Sequence, residues 1–76
     1  MRAYILVRVD GGSLLSVLRE VKKVSEIKSA DAICGPYDLI AVAEASDLNT
    51  LGKFVVDKIQ SIKGVNRTLT CPVAEI

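Results

Sequence analysis

Apolar and polar positions recur along this chain with periods that assign most of it to secondary structure. Arg2 to Val9 is rich in Ile, Leu, Val and Tyr and predicts a strand. Leu14, Val17, Leu18, Val21 and Val24 then recur at helical spacing, opposite Ser16, Arg19, Glu20, Lys22 and Lys23. This is the pattern of an amphipathic helix with one buried stripe and a solvated charged face. The break between them is Asp10-Gly11-Gly12-Ser13, with Ser13 as the N-cap. Ile27–Cys34 predicts a second strand and Asp38–Glu44 a third. Ala45-Ser46-Asp47 caps a second helix, whose stripe is Leu48, Leu51, Val55, Ile59 and Ile62. Gly52 shares that face, where a missing side chain would let the helix approach a sheet closely. Lys63-Gly64 ends this helix, with Gly64 as its C′ residue. Val65–Val73 is the fourth strand, and Pro72 near its end marks a sheet edge.

The chain is organised around Ala32–Val42, where two apolar runs flank Gly35-Pro36-Tyr37-Asp38. Gly beside Pro interrupts a helix and reverses the chain, so the middle of the sequence predicts a β-hairpin. Asp38 has two readings: a carboxylate placed to meet a ligand's ammonium group, or a side chain that holds its own turn. The order β-α-β-β-α-β is the split βαβ pattern of an α+β, ferredoxin-like fold. Strands one and three are near-continuous apolar runs and belong at the centre, which gives the sheet order 4-1-3-2. Cys34 and Cys71 then fall on opposite edges, roughly 14 Å apart, too far for a disulfide. Both are expected to be small buried hydrophobes.

The helices of this fold cover one face of the sheet, yet its strands are apolar on both. On strand one, Ala3, Ile5, Val7 and Val9 oppose Arg2, Tyr4, Leu6 and Arg8. On strand three, Leu39, Ala41 and Ala43 oppose Ile40, Val42 and Glu44. Phe54 and Val56 fall outside the stripe of the second helix. An apolar second face needs a second layer, and the expectation is another copy of the chain, as a symmetric dimer through the sheets. A monomer with a mildly apolar open sheet is the alternative.

Composition narrows the function. The 76 residues are half hydrophobic, which argues against disorder, and 10 basic against 9 acidic residues leave a net charge of +1. Such balance gives no electrostatic footprint for direct nucleic-acid or membrane binding. No apolar run is long enough to span a bilayer or resembles a signal peptide, so a cytoplasmic location is expected. The chain has no histidine and only two cysteines, without a CxxC. That removes a zinc site within one chain, a histidine-based triad and a CxxC metal chaperone. Asp10-Gly11-Gly12-Ser13 resembles a phosphate loop but lacks the Gly-Lys-Ser/Thr pattern. Tyr4 is the one aromatic on the central strands, too few for an RRM-like RNA platform.

The hairpin Gly35-Pro36-Tyr37-Asp38-Leu39-Ile40 is similar to the Gly-x-Tyr/Phe-Asp-aliphatic signature of the Lrp/AsnC regulators' ligand-sensing domain, the RAM domain. Ile62-Lys63-Gly64-Val65-Asn66-Arg67-Thr68-Leu69-Thr70 resembles that family's passage from second helix to last strand. The βαββαβ order matches over the whole chain. The resemblance implies a single ligand-binding domain over residues 1–76 that senses a small molecule, commonly an amino acid, in transcriptional regulation. It implies dimers through the sheets, higher assemblies such as octamers, and effectors bound at a subunit interface. Gly35, Tyr37 and Asp38 would then fall on the hairpin that helps form the pocket, with Thr68 and Thr70 on the last strand nearby. There Asp38 could pair with an α-ammonium group, and the threonine hydroxyls could bind a carboxylate. The other reading of Thr68 and Thr70 is the ordinary preference of strands for β-branched residues.

Family regulators carry an N-terminal helix-turn-helix, whereas this sequence opens on the first strand. It is therefore expected to resemble the stand-alone members, which act without their own DNA-binding domain, with assembly onto full-length regulators as one route. The resemblance implies no catalytic residues, no metal and no cofactor. An ACT-like amino-acid-binding regulatory subunit of a metabolic enzyme is the alternative of the same kind. A small enzyme on this fold is a further one. The acylphosphatase pattern needs an Arg that the glycine loop lacks, and the dimeric α+β-barrel enzymes usually rely on histidine.

Overall fold

The computed structural model describes residues 1–76. The elements run β1 (Arg2–Val9), α1 (Leu14–Lys22), β2 (Ile27–Ala32), β3 (Leu39–Glu44), α2 (Leu48–Phe54) and β4 (Val65–Pro72). The four strands form one antiparallel sheet in the order β2-β3-β1-β4. This is the expected ferredoxin-like arrangement, with β1 and β3 central.

Alternation along the strands decides what each face receives. Ala3, Ile5 and Val7 of β1 and Leu39, Ala41 and Ala43 of β3 are buried beneath the helices. They meet Val17 and Val21 of α1, and Leu51 and Phe54 of α2 with Val55 and Ile59 just beyond it. The core is entirely apolar, and no polar side chain is buried without a partner.

The second helix departs from its expected stripe. Leu48 is 58% exposed, whereas Phe54 is buried. Beyond α2 the chain continues through a π-helical turn, Val55–Ile59, in which the Gln60 N–H donates to the Val55 carbonyl at 2.8 Å. The wider turn lets Leu51, Val55 and Ile59, four residues apart each time, stay over the sheet. Gly52 is exposed, and a Cβ there would meet nothing within 4 Å, so it serves no close approach.

Helical structure ends at Ile59, earlier than Gly64. Gly64 instead lies in a turn closed by Val65 N–H donating to the Ile62 carbonyl at 3.1 Å. It has φ +101, and a Cβ on it would come within 2.8 Å of the Ser13 Cβ. Its carbonyl accepts from the Asp10 N–H at 2.8 Å, and Asn66 donates to the Asp10 carboxylate at 3.1 Å. The glycine-rich loop is thus a seam between β1 and β4. Ser13 occupies the N-cap of α1, but its side chain makes no capping bond.

The cysteines also differ from expectation. Cys34 is exposed on the loop after β2, because that strand ends at Ala32, and Cys71 is half-buried on β4.

Two consequences are measurable. Gly64→Ala combines backbone strain, about 1–3 kcal/mol, with the contact at Ser13. Chemical denaturation should show at least that loss, and adding Ser13→Gly should return only the part due to contact. At the start of α2, the Asp47 carboxylate accepts the Thr50 N–H at 2.8 Å. That bond to the backbone, followed by the Thr50 hydroxyl, holds the Asp47 carboxyl below its ordinary range. A lowered folded-state value stabilises above the unfolded value, and the benefit is lost as pH falls through the folded one. Asp47→Ala should therefore melt a few degrees lower at neutral pH, and the gap should begin to narrow only below about pH 4.

Candidate ligand-binding site

The connection between β2 and β3 is held on three sides. Ile33 N–H donates to the Asp38 carbonyl and Asp38 N–H to the Val7 carbonyl, each at 2.9 Å. Asp38 Oδ2 accepts from the Val9 N–H at 2.9 Å. Arg8 donates through Nε, at 3.0 Å, and through Nη2 to the Pro36 carbonyl. Its guanidinium lies 5.6 Å from the centre of the Tyr37 ring, within cation–π range. Gly35, at φ +150, opens the reversal.

Asp38 therefore has a structural role, although not the one expected. It ties the hairpin to the end of β1 rather than closing its own turn. Because the side chain is half-buried and Oδ2 is engaged, Oδ1 is the oxygen left for any ligand. Arg8, on β1, is the residue at the hairpin that the sequence reading does not assign to the site. The available signal was its place at the end of a strand destined to neighbour Pro36-Tyr37.

Thr68 and Thr70 lie elsewhere. In the β1–β4 register Thr68 faces Val7 and Thr70 faces Ile5, so both threonines share the helix-facing side of the sheet. The Thr68 hydroxyl accepts from Gln60 Nε2 at 2.9 Å. Thr70 borders a groove of about 350 Å³ with Leu48, Gly52, Val56 and Pro72. Tyr37 keeps company with Arg8, which alternation puts on the open face beside Arg67. A single chain thus splits the five expected residues into two groups on opposite sides of the sheet. Strand β1 separates β3 from β4, so the groups are at least two strand spacings apart, roughly 10 Å. A surface concavity of about 610 Å³ is lined by Ser13, Ser16, Glu20, Ser61, Ile62 and Lys63 and includes neither group.

The open face carries Tyr4 and Leu6 of β1, Ile40 and Val42 of β3, and Leu69 and Cys71 of β4. Tyr4 and Leu69 are 39% and 45% exposed. No group of three or more His, Cys, Asp or Glu side chains is arranged to hold a metal ion. No helix is long and apolar enough to cross a membrane.

Residues 2–76 match the family described as the Lrp/AsnC ligand binding domain. The chain belongs to that family. It is 34% identical over 71 residues to an uncharacterized HTH-type transcriptional regulator of Pyrococcus abyssi, covering 90% of this chain and 47% of the regulator. It is also 41% identical over 56 residues to a homocitrate synthase of Sulfurisphaera tokodaii, covering 74% of this chain and 11% of the enzyme. The chain therefore spans about half the length of the regulators it matches, and a smaller part of the enzyme. A solved protein of Thermus thermophilus superposes with a TM-score of 0.93 at 27% identity, covering 99% of this chain and 94% of that one. A transcriptional regulator of Neisseria meningitidis, solved as a complex with L-Met, gives 0.87 at 26% identity, covering 97% of this chain and 49% of that one.

Asp38→Ala removes the acceptor for Val9 N–H and should cost about 1–3 kcal/mol in denaturant unfolding. Asp38→Asn retains an acceptor oxygen and should lose less than half as much. Equal losses would mean that the charge, not the hydrogen bond, holds the hairpin.

Proposed function

We propose that this chain is a small-molecule sensor and assembly domain that binds an amino acid at a subunit interface and acts in transcriptional regulation. The match of residues 2–76 to a ligand-binding-domain family carries this reading. The L-Met complex of the Neisseria meningitidis regulator supports the choice of an amino acid. In this reading two copies pair through their open sheet faces, removing Tyr4, Leu6, Ile40, Val42 and Leu69 from water. Dimers join further, into an assembly such as an octamer. The effector sits where copies meet, because the two groups of site residues are apart within one chain.

Each residue then has a task. Asp38 Oδ1 receives the α-ammonium group. Gly35 brings the loop backbone close to the effector, Tyr37 supplies an apolar wall, and Thr68 or Thr70 from another copy binds the carboxylate. The residues 1–76 form one ligand-binding domain whose output passes through partners, full-length regulators of the same family among them, in the cytoplasm. No cofactor or metal takes part.

The homocitrate synthase match favours a second reading. The same kind of module is present in an enzyme chain, so this domain could regulate a biosynthetic enzyme instead of a promoter. Both readings require effector binding and differ in the partner, which affinity purification from the host would identify as a DNA-binding regulator or an enzyme.

Native mass spectrometry with and without the twenty amino acids tests the binding step. A dimer or a multiple of it should gain the mass of one amino acid, or redistribute between assemblies when it is added. Asp38→Asn should abolish that response while leaving the assembly intact. Indifference to all twenty would remove the amino-acid reading.

A further inference from the structure

The open face carries a charge pattern as well as an apolar one. The strand registers align its residues in rows. One row is Arg67 and Arg8, extended by Asp38, which precedes β3 and bonds to Val7 and Val9 beside Arg8. The next is Leu69, Leu6, Ile40 and Asp31, and the third is Cys71, Tyr4, Val42 and Ser29. The last is Arg2 and Glu44. Arg2, Asp31 and Arg67 are exposed and in no ion pair within their own chain. Glu44 has only Lys28, at 3.8 Å.

Two identical sheets packed face to face with strands aligned can be related by a two-fold axis along the strands or across them. An axis across the strands inverts the order of the rows. Arg8 then meets the partner's Arg2, and Asp38 meets the partner's Glu44, so like charge faces like. An axis along the strands keeps each row level and exchanges left for right. β1 then lies over the partner's β3, and β4 over its β2. Arg2 meets the partner's Glu44 and Glu44 the partner's Arg2, in an alternating square. Arg67 lies one side-chain step, about 7 Å along the strand, from the partner's Asp31, within reach of a guanidinium on a long stem. Tyr4 and Leu6 pack on the partner's Val42 and Ile40.

We propose that two copies stack with their two-fold axis along the strands, and that Arg67–Asp31 and Arg2–Glu44 pairs between copies set this register and select the partner chain. The proposal rests on the sheet-to-sheet dimer of the preceding section and adds its axis and its selectivity. A relative carrying like charge at these positions is disfavoured as a partner, because a mismatched pair places like charges together at an otherwise apolar contact.

A charge-swap mixing experiment tests it. Arg67→Glu and Asp31→Arg each turn two attractions per dimer into two repulsions. Each variant should dimerise on the order of tenfold more weakly than the parent in low salt, with the difference shrinking at high salt. Mixed together, the two variants restore both pairs. Isotope labelling of one variant should show the mixed dimer dominating over either homodimer by native mass spectrometry, and the double variant should dimerise like the parent. A parent dimer whose variants pair as tightly as before and mix statistically would overturn the charge register while leaving the dimer standing. A monomeric parent would overturn the dimer itself. Circular dichroism of the variants, whose changed side chains are exposed, distinguishes weak pairing from failure to fold.

Discussion

A four-stranded sheet has two faces, and in this chain both helices lie on the same one. Most of the structure follows from that mismatch. The covered face holds small and branched side chains, Ala3, Ile5, Val7, Leu39, Ala41 and Ala43, which let the helices settle close to the strands. The other face keeps Tyr4, Leu6, Ile40, Val42 and Leu69, residues that a monomer would exchange for polar ones at little cost to its core. Their charged surroundings are as informative as the apolar centre. An apolar contact is indifferent to orientation, whereas arginines and carboxylates at its margins distinguish one axis from another.

The hairpin is braced where the proposed effector would bind. Asp38, Arg8 and Pro36 hold the reversal against β1 through the Val9 N–H, the Pro36 carbonyl and the Tyr37 ring. Such cross-links reduce the freedom of the loop before any ligand arrives, so less entropy is lost on binding. They also place one oxygen of Asp38 in the service of the fold. A single carboxylate can carry both tasks because it has two oxygens and accepts several hydrogen bonds. At the opposite edge, Gln60 holds the Thr68 hydroxyl, leaving Thr70 as the threonine that borders open space.

The strands, the hairpin and the sheet order were readable because each rests on a local signal: alternation, a Gly-Pro break, or the contrast between apolar and mixed strands. The first helix was readable for the same reason. The second helix buries a different edge than its periodicity predicts. Leu48 and Gly52 belong to its buried face by periodicity and are exposed, whereas Phe54 falls outside that face and is buried. These residues lie in the regular helical turns of α2, before the π-helical turn at Val55–Ile59, and a helical period gives a stripe without saying which of its edges meets the sheet. Gly64 is a special backbone position, as its sequence context suggests, but for a different reason. It serves a turn packed on Ser13 rather than the helix end, and packing between residues so distant in sequence leaves no local trace.

The sequence by itself determined the α+β class, the central strands, the apolar second face and the family, since these follow from periodicity and from short contiguous motifs. Tertiary structure decided where the expected site residues lie and what they bond. It tied Asp38 to Val9, set Arg8 over Tyr37, and turned Thr68 and Thr70 to the side of the sheet away from the hairpin's Arg8–Tyr37 pair. The physical reason is register. Whether two residues on neighbouring strands share a face depends on the alignment of those strands to within one residue, and that alignment is settled by the packing of the whole sheet.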